Sequence, residues 1–292
     1  MDTLPREVKR RLGERYRLDT WGPLQVREAP DGTRKYLFRA AAGPVEAVYI
    51  PDGRRHTLCV STQAGCRLGC RFCATGRGGL RGNLSTGEIL MQLHGLPERE
   101  RVDHVVFMGM GEPLENTEAV LRAVEVLTDP RAYAIAARHI TLSTVGLLPE
   151  LERVLRETKI NITVSLHSPF PEERARLMPV ERRHPVREVL ALLRRVPPGR
   201  RRRYTLAYML FDGINDSDAH QRALAVLAAA LPVRVNLLSY HPVEGVACRP
   251  APPERLECFC RGLLAAGIPC TVRRSRGEEI AAACGLLATH SA

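Results

Sequence analysis

The stretch Cys66-Arg67-Leu68-Gly69-Cys70-Arg71-Phe72-Cys73 places three cysteines in the spacing C-x3-C-x2-C. Three thiolates on one tight loop can converge on a single metal centre. If that centre is a [4Fe–4S] cluster, one iron stays open for another ligand, and Phe72 lies where it would shield the cluster from water. Two alternatives remain, a zinc site completed by Cys59 or a histidine, and chance. Zinc-ligand pairs are normally separated by a longer segment, and a position directly after a predicted strand argues against chance.

From His56 onward, short apolar strands alternate with helical segments. Short runs rich in Val, Ile and Leu are typical of buried parallel strands. The strand candidates are Thr57–Ser61, His104–Met108, His139–Ser143, Ile160–Leu166, Tyr204–Met209, Arg234–Leu238 and Cys270–Val272. The helix candidates begin with a capping box at Ser85 and continue with Thr117–Leu127, Pro149–Arg156, Val186–Val196, Asp218–Leu231 and Pro253–Ala266. About six β/α units predict an α/β fold, a partial (βα)6 TIM-like barrel.

The chain before this repeat has a different pattern. Pro5 to Arg15 reads as a short basic helix, and Leu24–Arg27, Lys35–Ala40 and Val45–Ile50 alternate like strands, with an Asp31-Gly32 hairpin signal between the first two. We therefore predict two parts: a small N-terminal appendage over residues 1–52, and a barrel core with a C-terminal cysteine segment over residues 53–292.

Composition narrows the class of protein. The formal charge is +11, and all but three of the 43 basic residues are arginine, which favours an anionic partner such as nucleic acid without proving one. An arginine-rich composition alone could equally reflect a GC-rich genome or heat adaptation. Nine cysteines without an export signal predict metal binding or catalysis rather than a disulfide scaffold. We expect no membrane span, because no apolar run approaches the necessary length.

Polar residues follow the predicted strands at their carboxyl ends, where barrels of this kind collect their chemistry. Gly111 and Glu112 lie in a glycine-rich turn after the second barrel strand, where glycine permits close backbone approach and glutamate offers an acceptor. Each strand-end side chain alone is more typical of a local hydrogen bond than of a ligand contact. Several of them on successive strands favour a pocket, and the further members are Ser143, Ser165, Leu166 and His167.

The cysteine loop resembles the signature of the radical S-adenosylmethionine (SAM) superfamily, C-x3-C-x-aromatic-C. The resemblance implies that Cys66, Cys70 and Cys73 hold a [4Fe–4S] cluster and that the open iron binds SAM. It also implies that the turn at Gly111 and Glu112 binds the SAM ammonium group.

Several segments together resemble one family of this superfamily, the RlmN/Cfr RNA methyltransferases. They are Val45–Pro51, Leu58–Gln63, the cysteine loop, Met108–Leu114, Thr141–Thr144, Ser165–His167, Arg276-Gly277 and Ala282–Gly285. The resemblance implies two SAM molecules per turnover. The first methylates Cys284, and the second yields the radical that activates this methyl group for addition to an adenine carbon. A protein–RNA crosslink follows, and Cys59 resolves it by forming a transient disulfide with Cys284, while Glu46 accepts the ring proton.

Three positions depart from the family pattern. The SAM-contacting asparagine of the family falls at His241, the glutamine that follows its Cys-Gly pair is Leu286, and few residues precede Glu46. The resemblance is closest to RlmN, and implies methylation of adenine C2 in 23S rRNA and in tRNA. The alternatives are C8 methylation as in Cfr, action on another RNA, and, more remotely, a zinc-stabilised nucleic-acid-binding protein. We further expect an electron donor such as flavodoxin or ferredoxin, a monomer and a cytoplasmic location.

Overall fold

The computed structural model describes residues 4–15, 22–200 and 202–288 of the chain. The strands are β1 (Gln25–Glu28), β2 (Arg34–Ala40), β3 (Gly43–Asp52), β4 (Arg55–Val60), β5 (Gln63–Gly65), β6 (Leu80–Asn83), β7 (His104–Phe107), β8 (Ile140–Thr144), β9 (Asn161–Ser165), β10 (Tyr204–Leu210), β11 (Val233–Ser239) and β12 (Cys270–Arg273). The α-helices are α1 (Arg6–Arg15), α2 (Ala74–Arg77), α3 (Thr86–His94), α4 (Thr117–Thr128), α5 (Leu148–Glu157), α6 (Pro171–Leu177), α7 (Val186–Arg195), α8 (Asp218–Ala229) and α9 (Pro253–Ala265). Among the described residues, no helix is long and apolar enough to cross a membrane.

One continuous sheet holds ten of these strands in the order β1-β2-β3-β4-β7-β8-β9-β10-β11-β12. From β4 to β12 every neighbouring pair is parallel, whereas β1 to β4 pair in antiparallel fashion. The predicted α/β class and the parallel strand–helix repeat are therefore confirmed, with strand ends shifted by one or two residues. The division at residues 52 and 53 stays a prediction, and the sheet runs through it by way of the β3–β4 hairpin.

The apolar core lies between the sheet and its helices. On β11, Val233, Val235 and Leu237 are buried and alternate with more exposed residues, and this strand packs against α8 and α9. The helices form where the sequence predicts them, since α3 begins with the Ser85 capping box, in which the Ser85 hydroxyl accepts from the Glu88 N–H and the Glu88 carboxylate accepts from the Ser85 N–H. The side chains on the inner face of the parallel strands, which points away from the helices, are mostly polar.

The sequence patterns did not predict a short two-stranded ribbon, β5–β6, which branches from the sheet after β4. The cysteine loop consequently follows β5 rather than the first barrel strand directly. Gly65 ends β5 with a φ of +84°, and a Cβ there would lie 2.0 Å from the Gly79 carbonyl oxygen. Only glycine permits this approach, which lets the Cys66 N–H donate to that carbonyl at 2.8 Å. The ribbon thus closes the base of the cysteine loop.

Candidate active site

The three loop cysteines line one cavity at the carboxyl ends of the parallel strands, which we call the strand-end cavity. Cys66 is held by the ribbon, and the Cys73 N–H donates to the Cys70 carbonyl at 3.1 Å, which tightens the loop between them. The Arg71 N–H donates to the Leu177 carbonyl at the end of α6. The loop is therefore tied to the barrel on two sides, and its three sulfur atoms share one space.

Burial raises the pKa of the Cys66 thiol to about 12 and also raises the pKa of Cys70. Without a metal these thiols are neutral at ordinary pH, and a bound metal centre would replace their protons. Within the described parts of the chain, no three His, Cys, Asp or Glu side chains are arranged around a single metal ion. An iron–sulfur cluster needs a wider arrangement of ligands, because each of the three thiolates would bind a different iron. The three thiols that line this cavity fit that arrangement.

Gly111 and Glu112 form one wall of the strand-end cavity, as the sequence predicts. Gly111 has a φ of +99°, and a Cβ there would meet the Gln63 side chain at 2.5 Å, so the turn needs glycine. The Glu112 carboxylate is buried and accepts from the Thr144 hydroxyl at 2.6 Å and the Val145 N–H at 3.1 Å. Burial raises the pKa of Glu112 to about 7, although these hydrogen bonds act in the opposite direction.

His167 lies at the end of β9 with a φ of +56° and lines the same cavity. Its Nδ1 accepts from the Met209 N–H at 3.0 Å, which leaves the proton on Nε2. Burial, with the charge of Arg174, lowers the pKa of His167 to about 3, so the ring is neutral and serves as a fixed donor. The rings of His167 and Phe72 meet edge to face with their centres 5.0 Å apart, and Phe72 lines the same cavity as the three cysteines.

Ser143 and Ser165 also line the strand-end cavity, but Leu166 is fully buried and is not among the lining residues. The Leu166 carbonyl instead accepts from Nε of Arg174 at 3.0 Å. Sequence reasoning missed Arg174, which α6 carries into the interior with no exposed surface. Its guanidinium also donates to the carbonyls of Val145 and Ser165 and pairs with Glu181. One buried cation thus fixes the ends of β8 and β9, from which the pocket side chains project.

Cys284 lies on a C-terminal segment that is held on both sides. The Ala74 N–H at the start of α2 donates to the Gly285 carbonyl at 2.8 Å, and the Thr75 hydroxyl donates to the Leu287 carbonyl. As a result Cys284 lines the strand-end cavity together with the cluster cysteines.

The other side of this segment is held by a buried ion pair between Lys35 on β2 and Glu46 on β3, with 3.0 Å between Nζ and Oε1. Lys35 also donates to the Ala281 carbonyl at 3.3 Å, and Glu46 accepts from the Ala288 N–H at 3.0 Å. The Glu46 side chain is thus buried, and it faces the C-terminal segment rather than the strand-end cavity. Its predicted role as proton acceptor would require it to leave these partners, and that role stays a prediction.

Cys59 is buried at the end of β4, close enough to Cys284 for the two thiols to influence each other electrostatically. Burial raises the pKa of Cys59 to about 12, and nearby Arg273 and the Met108 N–H act against this rise. The thiol is therefore protonated and unreactive in the resting protein. Arg273 lies in the wall of the strand-end cavity.

His241 does not line the strand-end cavity. It faces the space enclosed by the parallel strands, which we call the lumen, and its Nε2 lies 2.6 Å from the Ser275 hydroxyl. Asn236 on β11 lines both the lumen and the strand-end cavity. In the sequence it is the asparagine closest to position 241, where the family has its SAM-contacting asparagine. A contact between His241 and SAM therefore stays a prediction.

Comparison with known proteins shows the family of the chain. The sequence pattern of the radical SAM superfamily matches residues 60–224. A protein from Syntrophobacter fumaroxidans named dual-specificity RNA methyltransferase RlmN is 45% identical over 289 residues, covering 97% of this chain and 84% of its own length. A Parabacteroides distasonis protein named probable dual-specificity RNA methyltransferase RlmN is 43% identical, covering 95% and 81%. The crystal structure of a radical SAM methyltransferase from Sphaerobacter thermophilus superposes with a TM-score of 0.92 at 41% identity, covering 98% of this chain and 86% of that one.

The fold and the converging cysteines define a radical SAM enzyme, with a [4Fe–4S] cluster and SAM as cofactors. Within that superfamily the chain belongs to the RlmN family. The zinc-binding alternative is thereby wrong. Cys66, Cys70 and Cys73 are the residues that would hold the cluster, and Glu112, Ser143, Ser165 and His167 are the polar groups available to SAM in the same cavity.

Arg174→Met should strongly destabilise the fold, because it removes the buried cation that pairs with Glu181 and takes one donor from each of three strand-end carbonyls. We expect a loss of about 3 to 5 kcal/mol in the free energy of unfolding, measured by urea denaturation under anaerobic conditions. The matched control is Arg153→Met, which removes an exposed arginine that pairs with Glu118 and Glu157 and should change little. Equal effects of the two substitutions would contradict this role for Arg174.

SAM affinity should depend on pH through Glu112. Below a pKa of about 7 the empty pocket holds a protonated Glu112, and the SAM ammonium must displace that proton, so affinity should rise with pH and level off above about pH 7. Calorimetry on the cluster-loaded protein between about pH 5.5 and pH 8 would measure this. Glu112→Gln should bind SAM more weakly and without this pH dependence. If the SAM affinity of the wild type does not change across this pH range, the prediction is wrong.

Proposed function

We propose that this enzyme methylates C2 of an adenine ring in RNA, with 23S rRNA and tRNA as substrates. The observation that carries the proposal is the position of Cys284, which lines the same cavity as the three cluster cysteines while Cys59 lies close behind it. Ring carbon C2 is electron-poor and has no nucleophilic lone pair, so transfer of a methyl cation from SAM fails there. A methyl group first carried by a protein sulfur and then activated as a radical avoids this problem.

Cys284 would first accept the methyl group, with its thiolate attacking the SAM methyl carbon and S-adenosylhomocysteine leaving. When bound, the [4Fe–4S] cluster supplies the electron that cleaves a second SAM to a hydrogen-abstracting 5′-deoxyadenosyl radical, and in its oxidised form accepts the electron that the adduct gives up. Loss of one hydrogen atom from the methyl group leaves a carbon-centred radical, a methylene group bonded to the Cys284 sulfur. Its addition to C2, followed by loss of an electron and the ring proton, joins Cys284 to the RNA.

Cys59 would then release the product. Its thiolate attacks the Cys284 sulfur, the S–S bond forms, and the S–C bond breaks with its electron pair on carbon, which takes up a proton to become the product methyl group. Arg273 and the Met108 N–H favour the thiolate at this step, while burial keeps the thiol inert before it. Glu46 is the proposed acceptor of the ring proton, once RNA binding separates it from Lys35.

The charge of the chain supports an RNA substrate. The formal charge is +11, and Arg273, Arg274 and Arg276 lie in the wall of the lumen near Cys284, where they can contact phosphate groups. An electron donor of the flavodoxin or ferredoxin kind, a monomeric state and a cytoplasmic location complete the proposal as predictions from the family resemblance.

The product should be 2-methyladenosine. RNA from cells lacking the native activity would be treated with cluster-loaded enzyme, SAM and a reductant, digested to nucleosides and analysed by mass spectrometry against authentic standards. We expect 2-methyladenosine in 23S rRNA and tRNA. 8-Methyladenosine instead would show the C8 chemistry, and unmodified RNA would contradict the proposal as a whole.

Cys59→Ala should trap the intermediate, because no thiol remains to attack the Cys284 sulfur. We expect a covalent protein–RNA species, seen as a slow band on a denaturing gel and mapped to Cys284 by mass spectrometry. Cys258→Ala, which changes an exposed cysteine on α9, should turn over normally and accumulate no crosslink. Normal turnover by Cys59→Ala would rule out its resolving role.

A further inference from the structure

The lumen is a hollow space of about 630 Å³, unlike the interior of an ordinary barrel, which bulky apolar side chains fill. The inward-facing residues of the parallel strands are mostly small or polar here. Thr57, Thr141, Thr163, Thr205 and Thr271 line its middle. On β11 the lumen-facing Arg234 is exposed while its helix-facing neighbours are buried, so water reaches the inside of the barrel. This volume is in the range of small-molecule binding sites.

The amino-terminal end of the lumen carries a ring of four arginines, which we call the arginine mouth. Its members lie at or just before the first residues of four strands, and they are Arg55, Arg138, Arg203 and Arg234. None of the four makes an ion pair with a carboxylate of the described residues, and the one side-chain hydrogen bond is that of Arg55 Nε to the Thr57 hydroxyl at 3.1 Å. Asp103 and Asp52 are the carboxylates that act on Arg55, and two acids beside four arginines leave this opening with a net positive charge.

The remaining wall of the lumen does not neutralise the arginine mouth. Asp52 is the one carboxylate among its described lining residues, and it already accepts from Arg276 at 2.7 Å. Burial, with the charge of nearby Arg273, lowers the pKa of Arg55, while Asp103 and Asp52 act in the opposite direction. Such a cavity favours an anion, and guanidinium groups bind phosphate oxygens with two parallel hydrogen bonds.

The arginine mouth is separate from the site of methyl transfer. Arg55 and Cys59 both face inward on β4, four residues apart, which corresponds to roughly 13 Å along an extended strand. An anion at the arginine mouth therefore lies toward the opposite end of the lumen from Cys59, and Arg273, which acts on both Arg55 and Cys59, lies between the two ends. It would not compete directly for the residues assigned to SAM.

We propose that the arginine mouth binds a ligand carrying two or more phosphate groups. Several guanidinium groups around one opening match several phosphate groups better than they match a single anion. The enclosed volume suits a free oligophosphate or the exposed phosphates of a short RNA segment. The two sources share the same chemistry. The inference does not depend on the regiochemistry or the cysteine mechanism proposed above.

The test uses the full, cluster-loaded protein and inorganic triphosphate as the probe, with calorimetry at low and moderate salt. We expect one triphosphate per chain, bound more weakly as salt rises. The double variant Arg203→Gln/Arg234→Gln should lose about tenfold or more in affinity, since it removes two charged donors at an exposed surface. The control Arg187→Gln/Arg194→Gln removes the same charge from the exposed face of α7 and should bind as the wild type does.

Further measurements separate the outcomes. Cys59→Ala should bind triphosphate normally, so triphosphate binding survives even if the methylation mechanism is wrong. If a substrate RNA displaces triphosphate, the natural phosphates are those of RNA; if both bind together, the ligand is a free oligophosphate. No saturable binding of triphosphate, or an equal loss in the α7 control, overturns the proposal.

Discussion

The parallel pairing of seven strands is the constraint on which the rest of this molecule depends. Parallel strands bring their carboxyl ends to one edge of the sheet, so the residues that follow them must share one space. Backbone groups at that edge lose their strand partners and, being buried, need others. Arg174 and Asn215 meet this need: Arg174 donates to three carbonyls there, and Asn215 bonds the carbonyls of His167 and Met209 and the Phe211 N–H. These two buried side chains therefore hold the backbone around the pocket in place.

Burial then decides the protonation of the groups around the cavity. It keeps the thiols of Cys66 and Cys59 protonated, makes His167 a neutral donor, and brings the pKa of Glu112 close to neutrality. Each of these effects has the same origin, the cost of placing a charge where water is scarce. A positively charged ligand would favour the deprotonated form of each acidic group. The expected ligands are a metal cluster for the thiols and an ammonium group for Glu112.

Much of this could be predicted from the sequence, because strand alternation, capping and cysteine spacing are local. The elements that were missed depend on contacts far apart in the chain. The β5–β6 ribbon is too short and too rich in glycine for a pattern of alternation, and a register shift interrupts it at Gly65. Lys35 reaches Ala281 across 246 positions, and nothing local marks Arg174 as buried. The empty lumen was also invisible, since threonine on a strand predicts neither a filled nor a hollow interior.

The contact between the Ala74 N–H and the Gly285 carbonyl has a consequence for movement of the site. Ala74 directly follows Cys73, and Gly285 directly follows Cys284, so one hydrogen bond joins the cysteine loop to the segment that carries Cys284. Because this bond runs between main-chain atoms, it does not depend on the side chains at positions 74 and 285, and only proline at position 74, which has no N–H, would remove it. A movement of the cysteine loop is therefore passed to the C-terminal segment whatever side chains these two positions carry.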